Sequence, residues 1–487
     1  MKFSELIKNI SSVKTQCEND FEVEGLAYDS RNVKNNFVFF AIKGFKMDGN
    51  KFIDMAIQKG AKAVVSSEKV NMKNFVITEN VRQAMAEMSC AFYDNPSQKL
   101  NLIGVTGTNG KTTTTYLLKK IFETSGYKTG LMGTIDYLFG DKKVDSKLTT
   151  PESIEINYML NEMVKANITH CVMEVSSVAL ELKRVHGLKF KAGIFTNLTS
   201  EHLDFHKTMP NYYNAKKILF DELPAESIAI SNKDDSYGEN ILGDCKAQKY
   251  FYSIENPSEF KAENISIDTT GMEFNVNINN SKYYFETSMT GKFNVYNCLA
   301  AISTSVPMGI KVEKIQKALK DIEPVNGRFN IIKLPNNASA IIDYSHTSDS
   351  LKNAIEAAIE IISDRGRSGR VITIFGCGGN RDTTKRPVMG NIATELSDYV
   401  IITSDNPRLE NPDAIIKEIV AGIHEKNNFE TIANREEAIK RGMEISQTGD
   451  LILICGKGHE TYQEINGVKN HFDDREMVEK YSNLAKN

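Results

Sequence analysis

The sequence predicts an α/β protein of three domains built on parallel sheets, and three observations carry that expectation. From residue 100 onward, short apolar runs of strand length alternate with helical stretches, the pattern of strands covered by crossover helices. A glycine-rich turn at 104–114 joins the first of these strands directly to a helix. The chain has 487 residues, which at roughly 150 residues per domain gives about three domains.

Residues 1–98 form the first block, where short strands such as FVFFAI (37–42) mix with an amphipathic helix over FIDMAIQKGAKAV (52–64). The polar stretch NPSQK (95–99) reads as a linker. The second block, 99–328, opens with the strand LNLIGV (100–105). The glycine turn follows, then a helix from Lys111 to about Ser125 that Gly126 ends. CVMEV (171–175) and AGIFTNL (192–198) continue the strands. Composition shifts again near NGRFN (326–330). The third block, 329–487, holds the apolar strands VITIFG (371–376), YVIITS (399–404) and LILICG (451–456).

Apolar residues make up 41% and charged residues 25%, an ordinary globular profile. The 59 basic and 63 acidic side chains leave a net charge of −4, so no global positive field gathers nucleic acid. No apolar run reaches the roughly 18 residues a membrane span requires. The N-terminal stretch MKFSELIKNISSVKTQ is interrupted by Glu5 and Lys8, unlike the apolar core of a signal peptide. Seven cysteines without a C-x-x-C pair point to a reduced, cytoplasmic protein. Cys171, Cys298, Cys377 and Cys455 read as small buried hydrophobes.

The chemistry-bearing clusters follow the strands. TGTNGKT, the SS of MEVSS, TSEHLDFH, GCGGNRD, SDNPR and GKGHE each come just after an apolar run. In open α/β sheets ligands bind outside the carboxyl ends of strands, so these loops should line the active crevice. GVTGTNGKTTT (104–114) is the sharpest motif. Its backbone N–H groups and the helix N-terminus can cradle phosphate, Lys111 adds a charge, and the Thr112 hydroxyl can bind Mg²⁺. Val105 stands where the strict pattern has its first glycine. The expected architecture is therefore a central P-loop-type parallel sheet followed by a C-terminal Rossmann-like α/β domain.

Glu174, at the end of CVME, is placed to reach a magnesium ion beside Thr112. His202 and His206 share a helical spacing, but no third ligand follows for zinc. The run GCGGNRDTTKRPVMG (376–390) lacks the third glycine and acidic partner of a dinucleotide site. Arg381, Lys385 and Arg386 there suggest a local anion-binding group instead. Arg408 beside Pro407 suits bidentate carboxylate recognition, and Glu460 in GKGHE can pair with an ammonium.

Together these motifs resemble the Mur ligases, ATP-dependent amino-acid-adding enzymes of peptidoglycan synthesis. The resemblance runs through DSRNV (29–33), TTPES (149–153), MEVSS, FTNLTSEHLDFH, YYNAKKILF (212–220) and GKFNVYNCLAA (291–301). It continues in NGR (326–328), DYSHTSDSL (343–351) and the three loops of the last block. It implies that Gly107, Thr108, Asn109, Gly110, Lys111, Thr112 and Thr113 bind ATP phosphates. Asn297, Arg328, Asp343 and His346 would hold the rest of the nucleotide. Ser30 would contact uridine, while Thr149, Thr150, Ser176 and Arg184 would hold a UDP-muramoyl peptide.

Thr112, Glu174, His202 and a carbamylated Lys216 would surround magnesium, with Lys111, Lys216 and His202 the catalytic set. DNPR implies an enzyme that adds meso-diaminopimelate to UDP-N-acetylmuramoyl-L-Ala-D-Glu through an acyl phosphate. Arg381, Asp405, Asn406, Pro407, Arg408, Gly456 and Glu460 would form the diaminopimelate pocket. Lysine has no distal carboxylate and would leave a buried Arg408 unpaired, at several kcal/mol. The expected partners are these small molecules, with no nucleic acid, no membrane span and a monomeric chain. Val178, Asn50, Ser345 and Ser348 stand where the family has other residues. Rival readings are a lysine-adding ligase of the same family, another ATP-dependent peptide ligase such as a folylpolyglutamate synthetase, and a P-loop switch. The DSR block argues against the second.

Overall fold

Three large sheets, each assembled from a separate stretch of the chain, organise the protein in its computed structural model, which describes residues 1–8, 10, 14–44, 47–363 and 369–485. Of the N-terminal stretch, residues 9 and 11–13 lie outside the described residues. Helix Phe3–Leu6 buries Phe3 and Leu6.

The first sheet has five strands in the order Lys14–Cys17, Asn74–Ile77, Ala61–Ser66, Phe37–Phe40, Gly25–Ala27, parallel except for the outermost Lys14–Cys17. The helix expected over 52–64 is only half realised. A 3-10 turn Gly49–Phe52 runs into helix Ile53–Gln58, and the left-handed Gly60 (φ 108°) ends it. Ala61–Ser66 then enters the sheet, because Val64 and Val65 bury fully there as β-branched residues do. NPSQK is not a solvated linker. It forms the 3-10 turn Pro96–Gln98 with Pro96 and Ser97 buried, and Ser97 Oγ accepts the Lys189 N–H at 3.1 Å.

The central sheet has eleven strands, and the run ending in the glycine turn, Asn101–Thr106, lies between His170–Glu174 and Ala192–Phe195. All three are parallel and fully or nearly fully buried, as strands covered on both faces must be. The strand order reverses beside Asn101–Thr106, which makes its carboxyl end the natural crevice of the sheet. Antiparallel extensions at both edges escape the strand–helix alternation. They are Asp136–Phe139 with Lys142–Asp145, and the ribbon Phe260–Asp268, Gly271–Ile278, Ser281–Thr287. The ribbon alternates buried and part-exposed positions, so it presents no continuous apolar run to the reader of the sequence.

The third sheet has six strands, with Leu451–Cys455 between Ser339–Asp343 and Val371–Phe375. Only Asn330–Lys333 is antiparallel. Helix Ser348–Ser363 follows Ser339–Asp343, started by Thr347, whose Oγ1 accepts the Ser350 N–H at 3.2 Å while Ser350 Oγ accepts the Thr347 N–H at 3.0 Å. One apolar cluster runs from Ile103 and Leu117 through Ala354 and Ala358 to Phe375, so the last two units share a core. Cys90 and Cys245 are buried along with the four expected cysteines, and all seven are free thiols. Among the described residues no helix is long and apolar enough to cross a membrane.

Candidate active site

A cleft of about 1030 Å³ opens between the carboxyl ends of the central and third sheets, and five of the six strand-end loops contribute to it. The phosphate loop forms its floor. Val105 belongs to the fully buried strand, so the turn begins at Gly107. Gly107 (φ 152°) and Gly110 (φ 85°) take backbone angles that a side chain disfavours, and Gly110 caps helix Lys111–Thr124. Lys111 Nζ folds back to donate to the carbonyls of Gly107 (2.9 Å) and Thr108 (2.8 Å). Burial lowers its pKa, against the pull of Glu201 and Glu174.

The register of Glu174 opposite Val105 brings it beside this loop. Its Oε1 accepts the Thr112 hydroxyl at 3.0 Å and the Thr134 N–H at 2.7 Å. Thr134 Oγ1 donates to Glu174 Oε2 at 3.0 Å and meets Thr149 Oγ1 at 3.1 Å. A hydroxyl and a carboxylate side by side at the cleft are hard oxygen donors that suit Mg²⁺, which takes one or two protein ligands and completes its shell with water and phosphate. Among the described residues no group of three His, Cys, Asp or Glu is placed to hold a metal ion. His202, in the left-handed region (φ 56°), has its Nε2 at 3.7 Å from Glu201. His206 is structural, with Nε2 at 2.9 Å from Ser177 Oγ.

Lys216 is buried, donates to the Gly107 carbonyl at 2.8 Å and lies 4.4 Å from the Tyr212 ring centre. Burial and then Lys111 push its pKa well below the usual lysine value. Glu201 went unnoticed in the sequence although it adjoins His202. Burial acts to raise its pKa, but His202, His346, Lys111 and Lys216 surround it and hold it below the usual carboxylate range.

The domain junction and the third domain close the cleft from the other side. Arg328 Nη2 donates to Thr112 Oγ1 at 3.0 Å, and its guanidinium lies over the Tyr344 ring at 4.6 Å. Asp343 accepts the N–H groups of Phe329 (2.8 Å) and Ser345 (2.9 Å), tying the domain junction to the strand end. The Ser345 hydroxyl also donates to Asp343. His346 faces Glu201 at 3.7 Å. Asn297 Nδ2 donates to Asn294 at 2.8 Å, and its carboxamide oxygen lies against Gly110. A second residue missed in the sequence, Asp349, accepts a hydrogen bond from Asn109 Nδ2 at 2.8 Å.

The loops of the third sheet meet beside this. Arg408 occupies the left-handed region (φ 53°), pinned as its N–H donates to the Glu464 carbonyl (3.0 Å) and its carbonyl accepts the Asn466 N–H (2.6 Å). Its Nη1 donates to the Gly379 carbonyl at 2.8 Å, and its Nε lies 3.5 Å from Glu464 Oε2. The expectation that Arg408 would stand unpaired without a distal carboxylate is therefore corrected. Glu464, on the hairpin Tyr462–Ile465 and Val468–His471, supplies a counter-charge that no motif signalled.

Asn406 Nδ2 donates to Glu460 Oε2 at 2.7 Å, and Lys457 Nζ lies 3.4 Å from the same oxygen. Burial and then Asp405 raise the Glu460 pKa. Asp405 Oδ2 is buried without a hydrogen-bond partner, and Gly456 (φ 116°) lies against it. Arg381 and Lys385 line the cleft. Arg386 does not join them. It is wholly buried and paired to Glu410 and Glu418 at 2.9 Å, because it lies on the inner face of helix Lys385–Leu396.

Ser30, Thr150, Ser176 and Arg184 are not among the residues that line this cleft. Thr150 Oγ1 donates to the Glu174 carbonyl (2.8 Å), and Arg184 Nη1 donates to the Thr150 carbonyl (3.0 Å). Glu152 binds Arg82 of the first unit at 2.7 Å and Arg184 at 3.0 Å. Ser30 remains within the first unit, its hydroxyl 3.4 Å from Met55 Sδ.

Comparison with known proteins agrees with this arrangement. Profiles of the Mur ligase family catalytic domain, the Mur ligase middle domain and the Mur ligase glutamate ligase domain match residues 22–93, 105–305 and 327–458. The chain is 44% identical over 486 residues, 99% of each, to UDP-N-acetylmuramoyl-L-alanyl-D-glutamate--2,6-diaminopimelate ligase 1 of Clostridium acetobutylicum. A solved ligase of that name superposes with TM-score 0.66 at 29% identity, over 95% of both chains. A MurF ligase from Thermotoga maritima in complex with ADP, 18% identical, shares the fold with TM-score 0.63 over 94% of this chain and 97% of its own.

Proposed function

The chain belongs to the Mur ligase family, and from that premise we propose how its cleft works as an ATP-dependent peptide ligase. The reaction adds meso-diaminopimelate to UDP-N-acetylmuramoyl-L-Ala-D-Glu, a step of peptidoglycan synthesis. One observation carries the reading. A phosphate loop faces, across the same cleft, an arginine and two carboxylates, Arg408, Asp405 and Glu460, that match the charges of a diamino dicarboxylic acid.

The terminal carboxylate of the UDP-muramoyl dipeptide attacks the γ-phosphorus of ATP, ADP leaves, and an acyl phosphate forms. The loop amides, Lys111 and Arg328 neutralise the charge that gathers during transfer. A magnesium ion held by Thr112 and Glu174, with His202 and Lys216 nearby, would draw charge from the phosphate oxygens when bound. The neutral amine of diaminopimelate then attacks the acyl carbon and phosphate departs. No side chain forms a covalent bond. Holding two ionic substrates and shutting out water supply much of the acceleration.

Ser30, Thr149, Thr150, Ser176 and Arg184 are assigned to the UDP-muramoyl peptide. Asn297, Asp343 and His346 are assigned to the nucleotide. Arg408 and Arg381 take the distal carboxylate, with Asn406, Pro407 and Gly456 shaping the pocket. Asp405 Oδ2, buried and unpartnered, and Glu460 suit an ammonium group. The domain boundaries are assigned to 98–99 and 328–329, and at the second Gly327 (φ 67°) and Phe329 (φ 54°) flank Arg328 in left-handed conformations.

The depressed pKa of Lys216 favours the neutral amine that reacts with carbon dioxide, which supports a carbamate there. Labelling with ¹³C-bicarbonate should give a carbamate signal that Lys216→Ala abolishes.

The deciding experiment is phosphate release from ATP with UDP-N-acetylmuramoyl-L-Ala-D-Glu, comparing meso-diaminopimelate with L-lysine. Dependence on both substrates with preference for diaminopimelate is expected. Preference for lysine would overturn the substrate while keeping the ligase.

A further inference from the structure

Two neighbouring loops carry the arginines assigned to the distal carboxylate, Arg381 after strand Val371–Phe375 and Arg408 after strand Tyr399–Ile402. An assembly of side chains that the reaction does not use lies between them. Arg386 has no exposed surface. Its Nη1 meets Glu410 Oε2 and Glu418 Oε2, each at 2.9 Å, and its Nη2 reaches Glu410 Oε1 at 3.1 Å and the Gly378 carbonyl at 3.3 Å.

The two carboxylates differ in what else they hold. Glu418 lies on helix Pro412–Val420, outside both loops. Glu410 closes the loop of Arg408, and its Oε1 also accepts the N–H of Asn380, the residue before Arg381. Asn380 Oδ1 in turn accepts the Leu409 N–H at 3.0 Å. The Gly379 N–H donates to the Asn406 carbonyl at 2.9 Å. Each arginine is thus flanked by a residue that binds the other arginine's loop.

We propose that Glu410, anchored by Arg386, is a positioning residue that fixes the spacing of Arg381 and Arg408 and so sets the preference for diaminopimelate over a monocarboxylic diamine. The proposal rests on the ligase reading above. A carboxylate shared by a buried guanidinium and a backbone N–H has little freedom, because each bond restricts the others. Two arginines capture one carboxylate well only at a fixed separation, and a loosening of about 1 Å forfeits much of that gain.

The test compares Glu410→Gln with Glu418→Gln. Each removes one charge from the same guanidinium, but only the first weakens the tie between the loops. Glu410→Gln should raise KM for diaminopimelate about tenfold and shrink the diaminopimelate-to-lysine ratio of kcat/KM alike, with kcat and KM for ATP within about twofold. Glu418→Gln should lower Tm comparably and leave KM for diaminopimelate in place. Asn380→Gly, at an exposed turn that keeps its left-handed angle, should shift the same KM in the same direction as Glu410→Gln. An unchanged KM in Glu410→Gln, or an equal rise in Glu418→Gln, would overturn the proposal. Preference for lysine in the unaltered enzyme would instead overturn the ligase's substrate.

Discussion

Arg328 donates a hydrogen bond from Nη2 to the hydroxyl of Thr112 at 3.0 Å, although 216 residues separate them. The contact joins the end of the central domain, at its junction with the third, to the first turn of the phosphate-loop helix. The same hydroxyl donates to Glu174, so one threonine links a cation, an anion and the loop. Arg328→Ala should lower kcat/KM for ATP about 100-fold while leaving KM for diaminopimelate near its normal value. Steady-state kinetics with each substrate varied in turn checks this, and an unchanged ATP dependence would refute it.

Lys111 is a buried cation whose pKa burial depresses, so its charge is held at some expense of stability. Lys111→Ala should therefore retain the fold with a Tm no lower than that of the unaltered enzyme, yet release phosphate at least about 100-fold more slowly. Near-normal turnover would remove the phosphate loop from the mechanism.

Arg408 combines a strained backbone with a side chain assigned to the distal carboxylate. Arg408→Gly relieves the left-handed conformation, a relief of about 1 kcal/mol, and should hold or raise Tm. It should also cut kcat/KM for diaminopimelate by about 30-fold or more, as losing a charge-assisted contact of roughly 2 kcal/mol implies. Thermal unfolding and diaminopimelate kinetics on one preparation separate the two effects.

Glu460 predicts a pH dependence of definite sign. Burial and Asp405 raise its pKa, so the folded protein binds this proton more tightly than the unfolded chain. Its contribution to stability is therefore present at low pH and lost as pH rises through the raised value. Glu460→Gln should raise Tm at about pH 8 and much less at about pH 4, where the carboxyl is mostly protonated in the folded and the unfolded chain alike. In the unaltered enzyme KM for diaminopimelate should climb as pH falls through the same raised value, because the ammonium loses its charged partner. A Glu460→Gln enzyme should have a higher KM and lose that component of the pH profile. Identical profiles would remove Glu460 from the ammonium site.

Much of the candidate site was legible because its motifs are local. The strand, glycine turn and helix of 101–124 need only near neighbours to form, and Lys111 and Thr112 follow from that geometry. Arg408 could be singled out from DNPR alone. Arg386 was misread as an anion binder because composition does not tell which face of helix Lys385–Leu396 points inward. The 52–64 segment misled in the same way. Its helical half has the right periodicity, but Val64 and Val65 are claimed by a sheet whose partner strands lie at 37–40 and 74–77.

The sequence by itself determined the three-domain α/β architecture, the phosphate loop and the strand-end loops, since period, turn chemistry and motif spacing are properties of short segments. Only the tertiary structure decided that Arg328 reaches Thr112, that Glu464 accompanies Arg408, and that Glu410 ties two loops together through Arg386. Those pairings join residues that come close only once whole sheets have packed. Their energies depend on the burial that packing creates, which no local pattern encodes.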